Sequence, residues 1–157
     1  GGLGLIAIAA AKAANSGASI DDVADVILNA MDKVDLRMAF DTLEYLKKGG
    51  RIGKAQAFFG SVLKVNPILA LKEGATEGIA RVRCRAKAID YLCNFARSFP
   101  NIEELAIEDA TTPEDTAEMK KRLSDFYPAE RIYHLKVSPV IGTHVGPRVI
   151  GISVLPG

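Results

Sequence analysis

Apolar positions recur at helical spacing in four segments of the chain. The segments are residues 3–14, a stretch beginning at Ser19, residues 84–99 and a stretch beginning at Thr112. Ser19 and Asp22 form a capping-box pattern, and Thr112 stands as N-cap before Pro113, which suits the first helical turn. We therefore predict four helices. The expected buried face of the last one consists of Ala117, Met119, Leu123 and Phe126.

Other segments alternate between apolar and polar residues, as strands with one buried face do. The predicted strands are residues 34–40, 68–72, 78–83, 105–107, 133–137 and 149–155. Gly74 lies between the second and third strands, which predicts an antiparallel hairpin. The order of strands and helices predicts an α/β fold, in which helices pack on a mixed sheet.

Three shorter segments contain or adjoin glycine and proline residues, which end or interrupt regular secondary structure. We predict a short helix capped by Asp41 and Thr42 that ends at Gly49 and Gly50, followed by a helical stretch over residues 55–63. Residues 139–148 contain two prolines and two glycines between the last two strands, and this composition predicts a loop.

Composition narrows the class of protein. A chain of 157 residues with 48% hydrophobic and 25% charged residues is typical of a globular domain, and a net charge of +1 provides no general attraction for nucleic acid. Cys84 and Cys93 lie on different turns of one predicted helix, too far apart for a disulfide, which favours a reduced cytoplasmic protein. We predict no metal site, and Lys12 interrupts the apolar first segment, so we expect no membrane insertion.

Arg51 is the first candidate for ligand binding. It follows Gly49 and Gly50, and glycines after a helix permit the close approach of chains that aims a side chain into a crevice. An arginine in that position can hold a carboxylate with two parallel hydrogen bonds. The alternative is a capping turn with a solvated arginine.

His144 is the second candidate. It lies among the glycines of the predicted loop, where an imidazole is able to donate to an anion, although a packed loop histidine remains the alternative. His134 lies within a predicted strand and is the weaker candidate.

A basic stripe joins the hairpin to the following helix through Arg81, Arg83 and Arg85. A solvated face is the simplest interpretation, and a docking patch for an acidic partner is the alternative.

Nothing in the sequence indicates catalysis. There is no serine–histidine–aspartate arrangement, and the acidic pairs at residues 103–104 and 108–109 are interpreted as surface charge near strand ends. We expect a protein that is not an enzyme.

Three motifs together resemble the DegV family of fatty-acid-binding proteins. They are DTLEYLKKGGRI at residues 41–52, NPIL at residues 66–69 and GTHVGP at residues 142–147. The resemblance implies a two-domain α/β protein, with residues 1–45 as the end of the N-terminal domain and residues 46–157 as the C-terminal domain.

The resemblance also implies a ligand and its binding residues. A long-chain fatty acid such as palmitate, stearate or oleate fills an apolar tunnel, and its carboxylate is held by Arg51, His144 and Thr143. The backbone of the pocket then comes from Gly50, Ile52, Gly142 and Gly146. No cofactor is implied, and the protein presents the fatty acid to a fatty acid kinase subunit for phospholipid synthesis.

One residue departs from the family pattern. Arg148 stands where the family motif continues with a second glycine, which adds bulk and charge beside the anion site. Two other functions stay open: a structural domain that docks a partner through Arg81, Arg83 and Arg85, and an acyl- or phosphoryl-transfer enzyme whose nucleophile lies outside these residues.

Overall fold

The computed structural model describes residues 1–59 and 65–157. The helices are α1 (Gly2–Asn15), α2 (Ile20–Lys33), α3 (Glu44–Lys48), α4 (Arg85–Arg97), α5 (Pro113–Leu123) and α6 (Pro139–Val145). The strands are β1 (Asp35–Ala39), β2 (Asn66–Lys72), β3 (Ala75–Val82), β4 (Ile102–Asp109), β5 (Ile132–Lys136) and β6 (Ile150–Pro156). Two short 3₁₀ segments cover Gly53–Phe58 and Ala129–Arg131.

The strands of the described residues form one six-stranded sheet in the order β3-β2-β1-β6-β4-β5. β4 and β5 are parallel, whereas each other neighbouring pair is antiparallel. The predicted mixed sheet and the β2–β3 hairpin are therefore confirmed. β1 hydrogen-bonds to both β2 and β6, and the domain boundary expected at residue 45 stays a prediction.

Helices cover the two faces of the sheet, and β4 shows how the sequence sorts its side chains between them. Leu105 and Ile107 are fully buried against α4 and α5, while Ala106 between them is buried with α1 and α2. This alternation follows from the period of two in a strand. Both faces are apolar because the sheet lies between two helical layers.

A third apolar cluster lies beside α3 and α6, near the ends of the central strands. Its buried members are Phe40, Leu43, Leu46, Ala55, Leu69, Val145 and Val149. The cluster gives α3 and α6 a shared apolar support, and the two helices contact each other above it.

The loop predicted over residues 139–148 is wrong, because most of it is helix α6. Ser138 is the N-cap, and its hydroxyl accepts a hydrogen bond of 3.4 Å from the backbone N–H of Ile141. Pro139 occupies the first turn, and Gly146 ends the helix with a φ of 77°. These are the usual start and stop signals of a helix, here enclosing only seven residues.

Two further predictions need correction. The stretch predicted to be helical over residues 55–63 is a 3₁₀ segment ending at Phe58, and residues 60–63 lie outside the described residues. In the segment of α5 and the turn after it, Ala117 and Phe126 are exposed, while Thr116 and Tyr127 are buried instead. The buried face of α5 consists of Thr116, Met119 and Leu123, whose spacing of three and four residues is that of one helical face, and Tyr127 is buried beyond the end of the helix.

Within residues 1–59 and 65–157, no helix has the length and apolar character needed to cross a bilayer.

Candidate functional site

The short helix α3 ends in a turn that requires a glycine. Gly50 has a φ of 66°, its N–H donates to the carbonyl of Lys47 at 3.1 Å, and the N–H of Arg51 donates to the carbonyl of Leu46 at 2.8 Å. This pair of hydrogen bonds is a Schellman motif, in which the left-handed residue is commonly glycine. The helix end predicted at Gly49 and Gly50 is confirmed, and the turn sets the direction in which Arg51 leaves the helix.

Arg51 is anchored to its own turn. Its guanidinium Nη1 donates to the carbonyl of Gly49 at 3.0 Å, and its own carbonyl accepts a hydrogen bond of 2.7 Å from the Thr76 hydroxyl of β3. The side chain is exposed, not enclosed in a crevice. Arg51 therefore offers its remaining N–H groups at the surface of the site.

His144 projects from α6 onto α3. A Cβ atom at Gly49 would overlap with Nδ1 of the imidazole and would lie 3.1 Å from the Tyr45 carbonyl oxygen. The ring thus lies directly against the α-carbon of Gly49, where only a glycine leaves room. Nδ1 is buried and has no hydrogen-bond partner among the described residues.

Arg51 and His144 consequently meet at one residue. The guanidinium binds the carbonyl oxygen of Gly49, and the imidazole contacts its α-carbon. A guanidinium and an imidazole from distant parts of the chain therefore contact the same residue, and both side chains carry hydrogen-bond donors of the kind that bind a carboxylate.

A second glycine contact strengthens the pairing of α3 with α6. Gly146, with its φ of 77°, lies under the ring of Tyr45, and a Cβ atom there would overlap with the ring. Sequence reasoning placed Gly146 in the site but did not select Gly49 or Tyr45. The signal for Tyr45 was its position one helical turn before Gly49, on the same face of α3.

The remaining predicted pocket residues play smaller parts. The Thr143 hydroxyl donates to the carbonyl of Pro139 at 2.9 Å within α6, and the side chain is exposed. Ile52 packs partly buried against the apolar cluster beneath the site. At Gly142 a Cβ atom would meet nothing within 4 Å, so the helix itself does not require a glycine there.

Exposed apolar side chains lie on the same two short helices, α3 and α6. On α6, Val140 is 73% exposed and Ile141 is 51% exposed, and Tyr45 of α3 is also exposed. Together with the buried cluster below, these side chains provide an apolar surface next to two donors of hydrogen bonds.

Arg148 lies two residues after Gly146 and contacts the segment before α3. It adopts a φ of 61°, which is uncommon for a residue with a side chain, and its Nε donates to Asp41 Oδ2 at 2.7 Å. This hydrogen bond raises the pKa of Arg148 above its usual value. The contact ties the segment after α6 to the segment before α3.

The basic stripe is not a uniform solvated face. Arg81 stacks over the Phe58 ring at 4.2 Å and donates to the carbonyl of Ala57, while Arg85 is largely buried beside Asp115. Arg83 is exposed and makes no ion pair or side-chain hydrogen bond with the described residues. The partner-docking role of the three arginines stays a prediction.

Two acidic residues interpreted as surface charge are buried. Glu104 pairs with Lys12, and Asp109, which is 0% exposed, pairs with His134 and Lys136 of the neighbouring strand. The surface interpretation was wrong because both partners depend on the tertiary fold: Lys12 lies on α1, and His134 and Lys136 lie on a neighbouring strand.

Asp109 is held as a carboxylate. Burial acts to raise its pKa, but hydrogen bonds from Lys136 Nζ at 2.8 Å, His134 Nε2 at 2.6 Å and the Thr112 N–H at 2.7 Å outweigh burial and lower the pKa to about 2. His134 thus serves a structural ion cluster rather than the candidate site.

Comparison with known proteins agrees with this architecture. A family described as "Uncharacterised protein, DegV family" matches residues 1–157. A DegV domain-containing protein of Clostridium perfringens is 36% identical over an alignment of 156 residues, and the match covers 96% of this chain and 54% of that protein. The chain therefore spans about half the length of the curated relatives it matches.

Two solved structures share the fold over nearly the whole chain. A DegV family protein from Thermus thermophilus, described by its fatty acid binding, matches with a TM-score of 0.88 and 28% identity over 99% of this chain and 57% of its own. DegV of Bacillus subtilis, described as a fatty acid binding protein, matches with a TM-score of 0.81 and 30% identity over 99% of this chain and 56% of its own. With a family match over its full length and relatives above 30% identity, the chain belongs to the DegV family.

Proposed function

We propose that the protein carrying this chain binds a long-chain fatty acid, whose carboxylate is held by Arg51 and His144. The observation that carries this proposal is the meeting of the guanidinium and the imidazole at Gly49. The fatty acid binding described for the relatives from Thermus thermophilus and Bacillus subtilis supports the same ligand.

The carboxylate is recognised by charge and by hydrogen-bond donors. Arg51 has guanidinium N–H groups beyond the one given to Gly49, and the planar guanidinium matches the geometry of a carboxylate. Thr143 is the third proposed contact: it lies next to His144 in sequence and is exposed, and its O–H, which donates to the carbonyl of Pro139 at 2.9 Å, rotates to donate to the carboxylate when the ligand binds.

The acyl chain requires apolar surface near the carboxylate. Val140 and Ile141 expose apolar side chains on α6, and removing such groups from water stabilises a bound chain by about 25 cal/mol per Å². The proposed tunnel passes along this surface, with Gly50, Ile52, Gly142 and Gly146 forming its backbone near the carboxylate.

The proposed role is that of a carrier. The carboxylate site lies at the surface, since Arg51 and Thr143 are exposed, and a second protein can therefore reach a carboxylate bound there. We infer that a cytoplasmic fatty acid kinase subunit uses this access: a carboxylate oxygen attacks the γ-phosphorus of ATP, which yields an acyl phosphate for phospholipid synthesis and releases ADP. Arg51 and His144 act in binding and do not form covalent bonds to the ligand.

Native mass spectrometry of the full-length protein, purified without added lipid, tests ligand binding. We expect an adduct of fatty acid mass on the parent and its loss in the double variant Arg51→Ala/His144→Ala. Arg83→Ala is the matched control, because Arg83 is also an exposed arginine and has no side-chain partner among the described residues.

The outcomes separate the parts of the proposal. Absence of any adduct from the parent contradicts fatty acid binding. An adduct that persists in the double variant contradicts the role of Arg51 and His144. For the kinase step, hydroxylamine trapping of an acyl phosphate in the presence of ATP and the kinase subunit is the expected result.

A further inference from the structure

The two nitrogens of the His144 imidazole have different surroundings. Nδ1 is buried and has no hydrogen-bond partner among the described residues, whereas Nε2 is not one of the buried atoms of that kind. A neutral imidazole carries one proton, on either nitrogen, and the contacts of the ring decide which one. The surroundings of Nδ1 therefore determine what Nε2 offers to a ligand.

Gly49 lies on the outward axis of Nδ1. A Cβ atom on Gly49 would overlap with Nδ1, but it would lie 3.1 Å from Cε1 of the ring and no closer to Cγ. A position above the ring face would be nearly as close to Cε1 and Cγ as to Nδ1. The Cβ direction therefore approaches Nδ1 in the plane of the ring, and the hydrogen atom that glycine carries in this direction points at the nitrogen.

This contact leaves room for a lone pair on Nδ1 but not for a proton. A proton there would point at the Gly49 hydrogen within van der Waals distance, and it would have no acceptor. The Tyr45 carbonyl beside the contact accepts the Gly49 N–H at 2.8 Å and takes no hydrogen bond from Nδ1. A buried N–H without an acceptor is strongly unfavourable. A ring turned over about its Cβ–Cγ bond would present Cδ2–H to Gly49 and would overlap in the same way.

We propose that Gly49 is a positioning residue for His144, which holds the neutral imidazole in the tautomer with its proton on Nε2. A bound ligand then meets a hydrogen-bond donor at Nε2, and the lone pair of Nδ1 stays directed at Gly49. The identity of the ligand rests on the function proposed above, whereas the tautomer rests only on the contact between the two residues.

The tautomer determines which head group fits the site. A carboxylate has two acceptor oxygens and no donor, and the primary amide of the same fatty acid has the same planar shape with an NH₂ group in place of one oxygen. Arg51 offers only donors, and with its proton on Nε2 the accessible side of His144 does the same. The NH₂ group of the amide would face a donor, whereas the other tautomer would accept its hydrogen bond. We therefore expect the site to bind fatty acids and to reject their primary amides.

Nitrogen NMR of the ligand-free full-length protein identifies the tautomer, because protonated and unprotonated ring nitrogens have well-separated chemical shifts. At about pH 8.5, above the usual titration range of imidazole, we expect a protonated Nε2 and an unprotonated Nδ1 for His144. The signal is assigned by its loss in His144→Gln. Gly49→Ala, which displaces the ring, is expected to give shifts averaged between the two tautomers. Lys48→Ala, at an exposed neighbouring position of α3, is the control and should keep the shifts of the parent.

Titration with palmitate and with palmitamide tests the choice of head group. We expect palmitamide to bind the parent roughly a hundredfold more weakly than palmitate, since a donor facing a donor is left unsatisfied. In His144→Gln the ratio should fall by roughly tenfold, because the side-chain amide of glutamine is able to turn its oxygen towards the ligand. Lys48→Ala should keep the ratio of the parent.

The outcomes separate this inference from fatty acid binding itself. A proton on Nδ1 of the parent overturns the proposed tautomer, and so do parent-like shifts in a folded Gly49→Ala variant. Equal affinities of the parent for palmitate and palmitamide, or an unchanged ratio in His144→Gln, overturn the choice of head group. If palmitate fails to bind the parent, the proposed function is contradicted, while the NMR result still decides the tautomer.

Discussion

At Gly49 the backbone of α3 and the imidazole of His144 are in contact, and a hydrogen atom is the only side chain that fits between them. The same residue offers its carbonyl oxygen to Arg51. Gly49 has an ordinary right-handed conformation with a φ of −81°. A glycine is therefore required here by the contact with His144 and not by the backbone conformation. The geometry of the candidate site therefore depends on a residue that contributes no functional group.

Gly49→Ala is expected to destabilise the fold and to weaken fatty acid binding. The added methyl group has to displace His144, and overpacking of this kind typically costs about 1–3 kcal/mol. Urea denaturation measures the change in the free energy of unfolding, and fatty acid titration measures the change in affinity.

The matched control is Gly142→Ala on α6. A Cβ atom there meets nothing within 4 Å, and alanine favours a helix over glycine by about 0.5–1 kcal/mol. Equal unfolding free energies for the two alanine variants would contradict the close contact at Gly49.

The sequence alone selected Arg51 and His144 as candidates, because glycines next to a charged or titratable side chain are a local signal, and their role in ligand binding stays a prediction. It did not show that they share Gly49, since that contact joins residues far apart in the chain. Asp109 was misinterpreted for the same reason: its partners His134 and Lys136 lie on another strand, and burial there depends on the register of β4 with β5.

The spacing of apolar residues predicted a helix correctly where the segment was long enough for that spacing to recur over several turns. α1, α2, α4 and α5 each contain at least eleven residues, and the sequence predicted all four. α6 was missed because seven residues complete barely two turns, too few for an apolar period to emerge against its prolines and glycines. The N-cap residue Ser138 was a better indicator of this helix than the spacing of its apolar residues.

The β2–β3 hairpin contains a residue poorly suited to its turn. Glu73 and Gly74 form a two-residue turn with φ values of 50° and 75°, and positive φ at both positions is the pattern of a type I′ turn. Glu73→Asn is expected to stabilise the protein by roughly 0.5–1 kcal/mol, because asparagine tolerates positive φ better than glutamate does.

Thermal unfolding measures this gain as a rise in Tm. Gly74→Ala in the same turn is expected to act in the opposite direction, because alanine resists the φ of 75°. A decrease in Tm for Glu73→Asn would contradict the turn type.

At the scale of the whole molecule, the stability below neutral pH reflects Asp109. Its folded-state pKa of about 2 lies below the value near 3.9 of an unfolded aspartate. The ionised group therefore stabilises the fold fully above about pH 4, and this contribution of about 2 kcal/mol is lost as the pH falls from 4 towards 2.

Asp109→Asn is expected to lower the free energy of unfolding at pH 7 by about 1–3 kcal/mol and to flatten its decline between pH 4 and pH 2. Denaturation at a series of pH values measures both effects. Asp32→Asn, at an exposed position near the end of α2, is the control and should keep the decline of the parent. A parent-like decline in Asp109→Asn would contradict the assignment.

The position of β6 also governs when the sheet is able to form during protein synthesis. Among the six strands of the described residues, β6 is the last to leave the ribosome, yet it lies inside the sheet, between β1 and β4. Until residues 150–156 emerge, β3-β2-β1 and β4-β5 have no shared hydrogen bonds, and each group keeps an open edge that another nascent chain is able to pair with. The final seven strand residues thus join two preformed halves, and a ribosome that stalls before them exposes both edges to aggregation.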